Sequence, residues 1–102
     1  MALTMEQNNT AITMAVGETK TIQLKGNPTT GYSWIALESI NVENKIEYVS
    51  NPHKPGMDGV GGIFTITIKA TTAGEGKLLL AYRRPWAPAD NDMKFTLTIH
   101  IN

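Results

Sequence analysis

The last run of the chain, Phe95-Thr96-Leu97-Thr98-Ile99-His100-Ile101, alternates apolar and polar residues without a break. Period two sends successive side chains to opposite faces, which is the pattern of a strand with one face buried. Residues 63–70 repeat it, with Phe64, Ile66 and Ile68 on the inner face and Thr65 and Thr67 on the outer one. Residues 19–25 put Ile22 and Leu24 on one face, residues 10–16 alternate weakly, and residues 46–50 are short. Residues 32–37 and 77–83 are apolar on both faces, as central strands are. Thr, Ile, Val and aromatic residues fill these runs and suit a pleated surface. No segment carries an apolar stripe at helical spacing. Turn residues separate the runs at Val16-Gly17-Glu18, Lys25-Gly26-Asn27-Pro28, Asn51-Pro52, Lys54-Pro55-Gly56, Ala73-Gly74-Glu75-Gly76 and from Pro85 to Asp92. The expectation is an all-β chain: about seven antiparallel strands in two packed sheets, an immunoglobulin-like β-sandwich.

At 102 residues this is one domain, spanning 1–102, with one core and no room for a deep substrate cavity. Residues 1–9 read as a flexible lead-in. Nine Lys+Arg balance nine Asp+Glu. A general nucleic-acid binder needs a basic surplus to release counterions, so that class is excluded. No apolar run approaches the ~20 residues that span a bilayer, so no membrane partner is expected. The N-terminus lacks a basic region followed by an apolar one. The expected location is therefore cytoplasmic, or lysosomal or secreted if a leader was removed. The Asn8-Asn9-Thr10 sequon would accept a glycan only on a secreted chain. The chain has no cysteine, which rules out disulfides, a Cys-ligated zinc site and a cysteine nucleophile.

In a sandwich of this order, three unusual connections open toward one end. The first, Asn27-Pro28-Thr29-Thr30-Gly31-Tyr32, has a proline that restricts the backbone and a glycine that permits positive φ. Taken alone it reads as a turn capping the strand ends. The second, Asp58-Gly59-Val60-Gly61-Gly62, lacks the spacing and the following helix of a phosphate cradle, and alone it reads as a hairpin tip. The third, Arg84-Pro85-Trp86-Ala87-Pro88, holds a Trp in a proline-stiffened loop. That Trp either anchors an interface or folds back to plug the end of the sandwich. Pro85 and Pro88 have Pro-x-x-Pro spacing, but a loop tied at both ends does not form a free polyproline helix.

Catalysis finds little support. His53 lies in a Pro-rich connection and His100 on the polar face of the last run. There is no seryl elbow, no HExxH, no paired carboxylates on one strand and no ligand set at metal spacing, so neither metal nor cofactor is expected.

The three connections, taken together and in this order, resemble the chagasin family of cysteine-protease inhibitors. The resemblance rests on Asn27-Pro28-Thr29-Thr30-Gly31-Tyr32-Ser33-Trp34, Gly59-Val60-Gly61-Gly62, and Arg84-Pro85-Trp86 followed by Pro88. It extends from about Thr10 to Ile101 and takes in Ala15-Val16-Gly17-Glu18 and Val42-Glu43-Asn44-Lys45. It implies tight, reversible inhibition of papain-like (clan CA) cysteine proteases by a monomer forming a one-to-one complex, with the three loops wedged in the active-site cleft. By the same resemblance, Thr29 and Thr30 would sit at the catalytic cysteine and histidine. Gly59 to Gly62 would lie along the non-primed subsites, and Arg84 and Trp86 on the primed side. Asp58 stands where relatives can carry an apolar residue, and Tyr32 where another aromatic is also found. The rival reading is a generic immunoglobulin-like module that binds another protein through the same loops.

Overall fold

The computed structural model describes residues 2–27, 31–50, 61–84, 86–87 and 92–102. Seven strands account for most of them: β1 (Thr10–Met14), β2 (Thr19–Gly26), β3 (Ser33–Ile40), β4 (Val42–Ser50), β5 (Gly62–Ala70), β6 (Gly74–Arg83) and β7 (Met93–Ile101). They form a four-stranded sheet in the order β1-β7-β6-β3 and a three-stranded sheet in the order β2-β5-β4. This is the expected all-β sandwich.

The alternation read in the sequence is the alternation of burial. Phe64, Ile66, Ile68 and Ala70 of β5 face Phe95, Leu97, Ile99 and Ile101 of β7, with Leu78 and Leu80 of β6 between the sheets. Ile22 and Leu24 of β2 close the layer from the other sheet. Each fully buried side chain of this size contributes ~1.5–3 kcal/mol relative to exposure, so the interleaved faces hold the sheets together.

Three expectations are corrected. The sandwich is not wholly antiparallel: β1 runs parallel to β7, from Thr10 beside Leu97 to Met14 beside Ile101. The strand reaches that edge from the N-terminal side and then crosses to the other sheet through Gly17, whose φ of 88° suits glycine. Second, β3 is an edge strand, not a central one, since β6 is its only neighbour in the sheet order. Its apolar outer face stays partly in water, with Leu37 40% exposed beside a register shift at Ala36/Glu38. Of the two runs apolar on both faces, only β6 is central. Third, the short run at 46–50 is the end of a strand that starts at Val42. Asn41, at φ 59°, turns the chain from one sheet to the other in a single residue. Asparagine tolerates that left-handed conformation better than most residues.

Residues 2–9 make contacts with both sheets. Leu3 bridges Ile22 in parallel, donating to the Thr21 carbonyl at 2.9 Å and accepting from Gln23 N–H at 2.8 Å. Thr4 and Gln7 form a capping box on a 3-10 turn, and Asn8 Oδ1 accepts from Thr96 N–H at 2.7 Å. The segment covers part of the open edge of β2, where bare backbone groups invite unwanted pairing.

Candidate functional site

The ladders themselves bring the three connections together. Gly26, the last residue of β2, is registered against Gly62, the first of β5. Ser33, the first residue of β3, is registered against Arg83, the last of β6. The first connection therefore starts beside the end of the second and finishes beside the start of the third. The sequence expectation that they open toward one end holds for the described residues at their bases.

Close packing of small residues tightens this. A Cβ on Gly61 would lie 3.0 Å from the Gly26 carbonyl oxygen and 3.7 Å from Asn27 Cβ. A Cβ on Gly31 would lie 2.7 Å from Cη2 of Trp86 and 3.7 Å from Cγ of Arg84. Gly31 also has φ 88°. Glycine thus serves twice there: it permits the turn, and it leaves the surface against which the indole rests.

Three aromatic rings support the tip from inside. Tyr82 of β6 lies 5.3 Å from Tyr32 and 5.2 Å from Trp34, ring centre to ring centre. Asn27 N–H donates to the Tyr82 hydroxyl at 2.8 Å, which fixes the start of the first connection. Trp34 Nε1–H donates to the Lys25 carbonyl at 3.1 Å, so its buried indole is satisfied. Arg84 places its guanidinium 5.0 Å from the centre of the Tyr32 ring, a cation–π contact that holds the third connection over the first.

The two tryptophans have opposite fates. Trp34 is 2% exposed and seals the end of the core; Trp86 is 72% exposed. The alternative of Trp86 as a plug is therefore removed, because another indole fills that place. Ala87 N–H donates to the Arg84 carbonyl at 3.0 Å, so Trp86 rides a tight turn and projects from it. At the bases of the first and second connections, Lys25, Gly26, Asn27, Gly61, Gly62, Ile63 and Tyr82 line an open groove of about 420 Å³.

Of the residues expected at the site, Asn27, Gly31, Tyr32, Gly61, Gly62, Arg84 and Trp86 are assembled at this end. Pro28, Thr29, Thr30, Asp58, Gly59, Val60 and Pro85 lie outside the described residues, as do His53 and Pro88. Tyr82 is a supporting residue that motif reading passed over, whereas Trp34 closed the first motif. A hydroxyl on the inward phase of an apolar strand was the available signal, since a buried Tyr O–H needs a partner. His100 sits near the far end of β7, with Nδ1 3.2 Å from Glu75 Oε1 on an exposed face. Among the described residues no group of three His, Cys, Asp or Glu could hold a metal ion.

Comparison with known proteins agrees with this geometry. Residues 13–99 match the model of the chagasin family peptidase inhibitor I42. The chain is 52% identical over 101 residues to Amoebiasin-1 of Entamoeba histolytica, covering 99% of each. Its fold is similar to the solution structure of Amebosin, with a TM-score of 0.88 and 53% identity, covering 100% of this chain and 97% of that one. It is also similar to the crystal structure of the cysteine protease inhibitor EhICP2 from Entamoeba histolytica, with a TM-score of 0.77 and 26% identity, covering 99% and 94%. The family match spans most of a chain whose three marked connections have their described bases at one end: the protein belongs to the chagasin family of peptidase inhibitors.

Proposed function

We propose that the protein inhibits papain-like cysteine proteases reversibly, by inserting this end of the sandwich into the active-site cleft. The observation that carries the reading is the position of Trp86: a large indole, 72% exposed, resting on a glycine of another connection. Leaving so much apolar surface in water has a cost that a partner removes. Trp and Arg side by side are also the residue types that most often dominate interface energy.

The proposed contact residues are Asn27 to Tyr32, Asp58 to Gly62, and Arg84 to Trp86. Thr29 and Thr30 would face the catalytic cysteine and histidine. A substrate must bring its scissile carbonyl into attack geometry. A connection anchored by the Tyr82 hydroxyl at one end and by the β3–β6 ladder at the other can fill a cleft while withholding that carbonyl. A connection held at both ends has less entropy to lose on binding, so more of its contact energy appears as affinity. A chain of zero formal net charge gains little long-range steering, and tightness then resides in slow dissociation. Three connections of this size can bury about 800 Å² per partner, which is typical of protease–inhibitor pairs.

Titration of active papain with the protein tests this. The expected result is stoichiometric, one-to-one loss of activity, recovered on dilution, with the chain uncut. Full papain activity at micromolar protein, or steady cleavage of the chain, would overturn the proposal.

A further inference from the structure

Arg83 is the last residue of β6, and Asp92 stands immediately before β7. The ladder between these strands ends with Tyr82 opposite Met93. One step further, the same register sets Arg83 across from Asp92. Their side chains meet there: Arg83 Nε lies 2.9 Å from Asp92 Oδ2, and the two are only 16% and 7% exposed. The other ion pairs among the described residues are surface contacts, with side chains at least 34% exposed. The Arg83 Nε–H makes no aligned hydrogen bond, so the contact is a charge pair.

Pairs drawn out of water gain little over apolar residues of similar size, because desolvation offsets the attraction. Net stability is therefore a weak account of this one. Its position supplies a better one. The pair ties together the two residues between which the third connection leaves the sheet and returns, and that connection carries Arg84 and Trp86. We propose that Arg83 and Asp92 are positioning residues: their ion pair closes the neck of the third connection and thereby holds the exposed Trp86 indole against Gly31. The proposal deepens the inhibitor reading and rests on it.

The consequence for binding follows from populations. If the indole occupies its binding orientation only part of the time, apparent affinity falls by that fraction. With the neck open and the orientation populated about one tenth of the time, inhibition weakens about tenfold. A route through Trp86 also makes the effects non-additive, as coupled sites are.

The experiment compares the wild type, Arg83→Gln and the charge exchange Arg83→Asp/Asp92→Arg. The ¹⁵N order parameter of the Trp86 indole is measured in the free proteins, with the buried Trp34 indole as internal reference. Papain inhibition is measured for the same proteins and for each in a Trp86→Ala background. Arg83→Gln is expected to lower the order of the Trp86 indole but not that of Trp34, and to raise the inhibition constant about tenfold. In the Trp86→Ala background it should add less than twofold. The charge exchange should recover both order and inhibition, and it keeps the test decisive if the single variant folds poorly. An unchanged Trp86 order parameter in Arg83→Gln, or the same tenfold loss without Trp86, overturns the proposal. If the wild type leaves papain untouched, the inhibitor reading fails, and the indole order parameters still decide whether the pair holds the loop.

Discussion

Where β1 passes into β2, the backbone bonds to itself. Gly17 N–H donates to the Ala70 carbonyl at 2.8 Å, Ala70 N–H to the Glu18 carbonyl at 3.0 Å, and Asn102 N–H to the Met14 carbonyl at 2.9 Å. Nearby, Thr71 N–H donates to the Asn41 carbonyl, and the Asn41 side-chain amide to the Glu75 carbonyl. At the opposite end the Ala87–Arg84 turn also bonds backbone to backbone, but side chains supply further links. Side chains from the sheets reach up to hold the connections, through the Tyr82 hydroxyl on Asn27 and the Trp34 indole on Lys25. A second indole is left outside. One end satisfies its polar groups locally and is finished on folding. The other is held from beneath at its described residues, and Trp86 stays exposed there. The same strands serve both ends, so the proposed binding mode separates folding from binding by position.

The largest expected effect tests that separation directly. Trp86→Ala should cost roughly 2 kcal/mol of binding, about thirtyfold in Kd, with the melting temperature almost unchanged. Inhibition kinetics and calorimetry on one preparation check both halves. A fall in stability as large as the fall in affinity would show that the indole supports the fold after all.

A matched pair of glycines sharpens the comparison. Gly31 and Gly17 both have φ 88°, so an added Cβ strains the backbone equally, by about 1–2 kcal/mol. Their surroundings differ. Nothing lies within 4 Å of a Cβ on Gly17, whereas one on Gly31 would lie 2.7 Å from the Trp86 ring. Gly17→Ala should lower stability and leave inhibition as it was. Gly31→Ala should lower stability by a similar amount and weaken inhibition about tenfold as well, because the indole must move. Equal inhibition by the two variants would break the division between the ends.

Much of this was legible in the chain. Phe64, Ile66, Ile68 and the run ending at Ile101 were readable because one buried face imposes period two, and a slip of one residue would expose every apolar side chain. Strand neighbours were harder. Trp34, Ile35 and Leu37 look the same whether a strand lies at the centre or at the edge of a sheet, because residue types record apolar surface and not hydrogen-bonding partners. The parallel pairing of β1 with β7 joins chain positions near opposite termini, and no local pattern encodes it. At the site, the glycines and Trp86 stood out because each departs from what a plain turn needs. Tyr82 did not, because its ring satisfies the apolar pattern and only its hydroxyl carries the role.

The smallest effect belongs to Glu18, at the finished end. Its carboxylate accepts from Ala15 N–H at 2.9 Å and lies 3.2 Å from Lys20 Nζ. The Ala15 hydrogen bond first, and Lys20 second, hold its pKa below the ordinary glutamate value. A depressed carboxylate pKa means that the folded state favours the ionised form. The resulting stability is full above the unfolded value of 4.5 and is lost as pH falls from there through the folded pKa. Glu18→Gln should therefore melt slightly below the wild type at pH 7, and the gap should close on acidification. The gap is small because the group is exposed and water screens it. Papain inhibition near neutral pH should be the same for both proteins. A change in inhibition would mean that the two ends communicate through the sheets; a gap that widened in acid would mean that the hydrogen bond to Ala15 is not what holds this carboxylate.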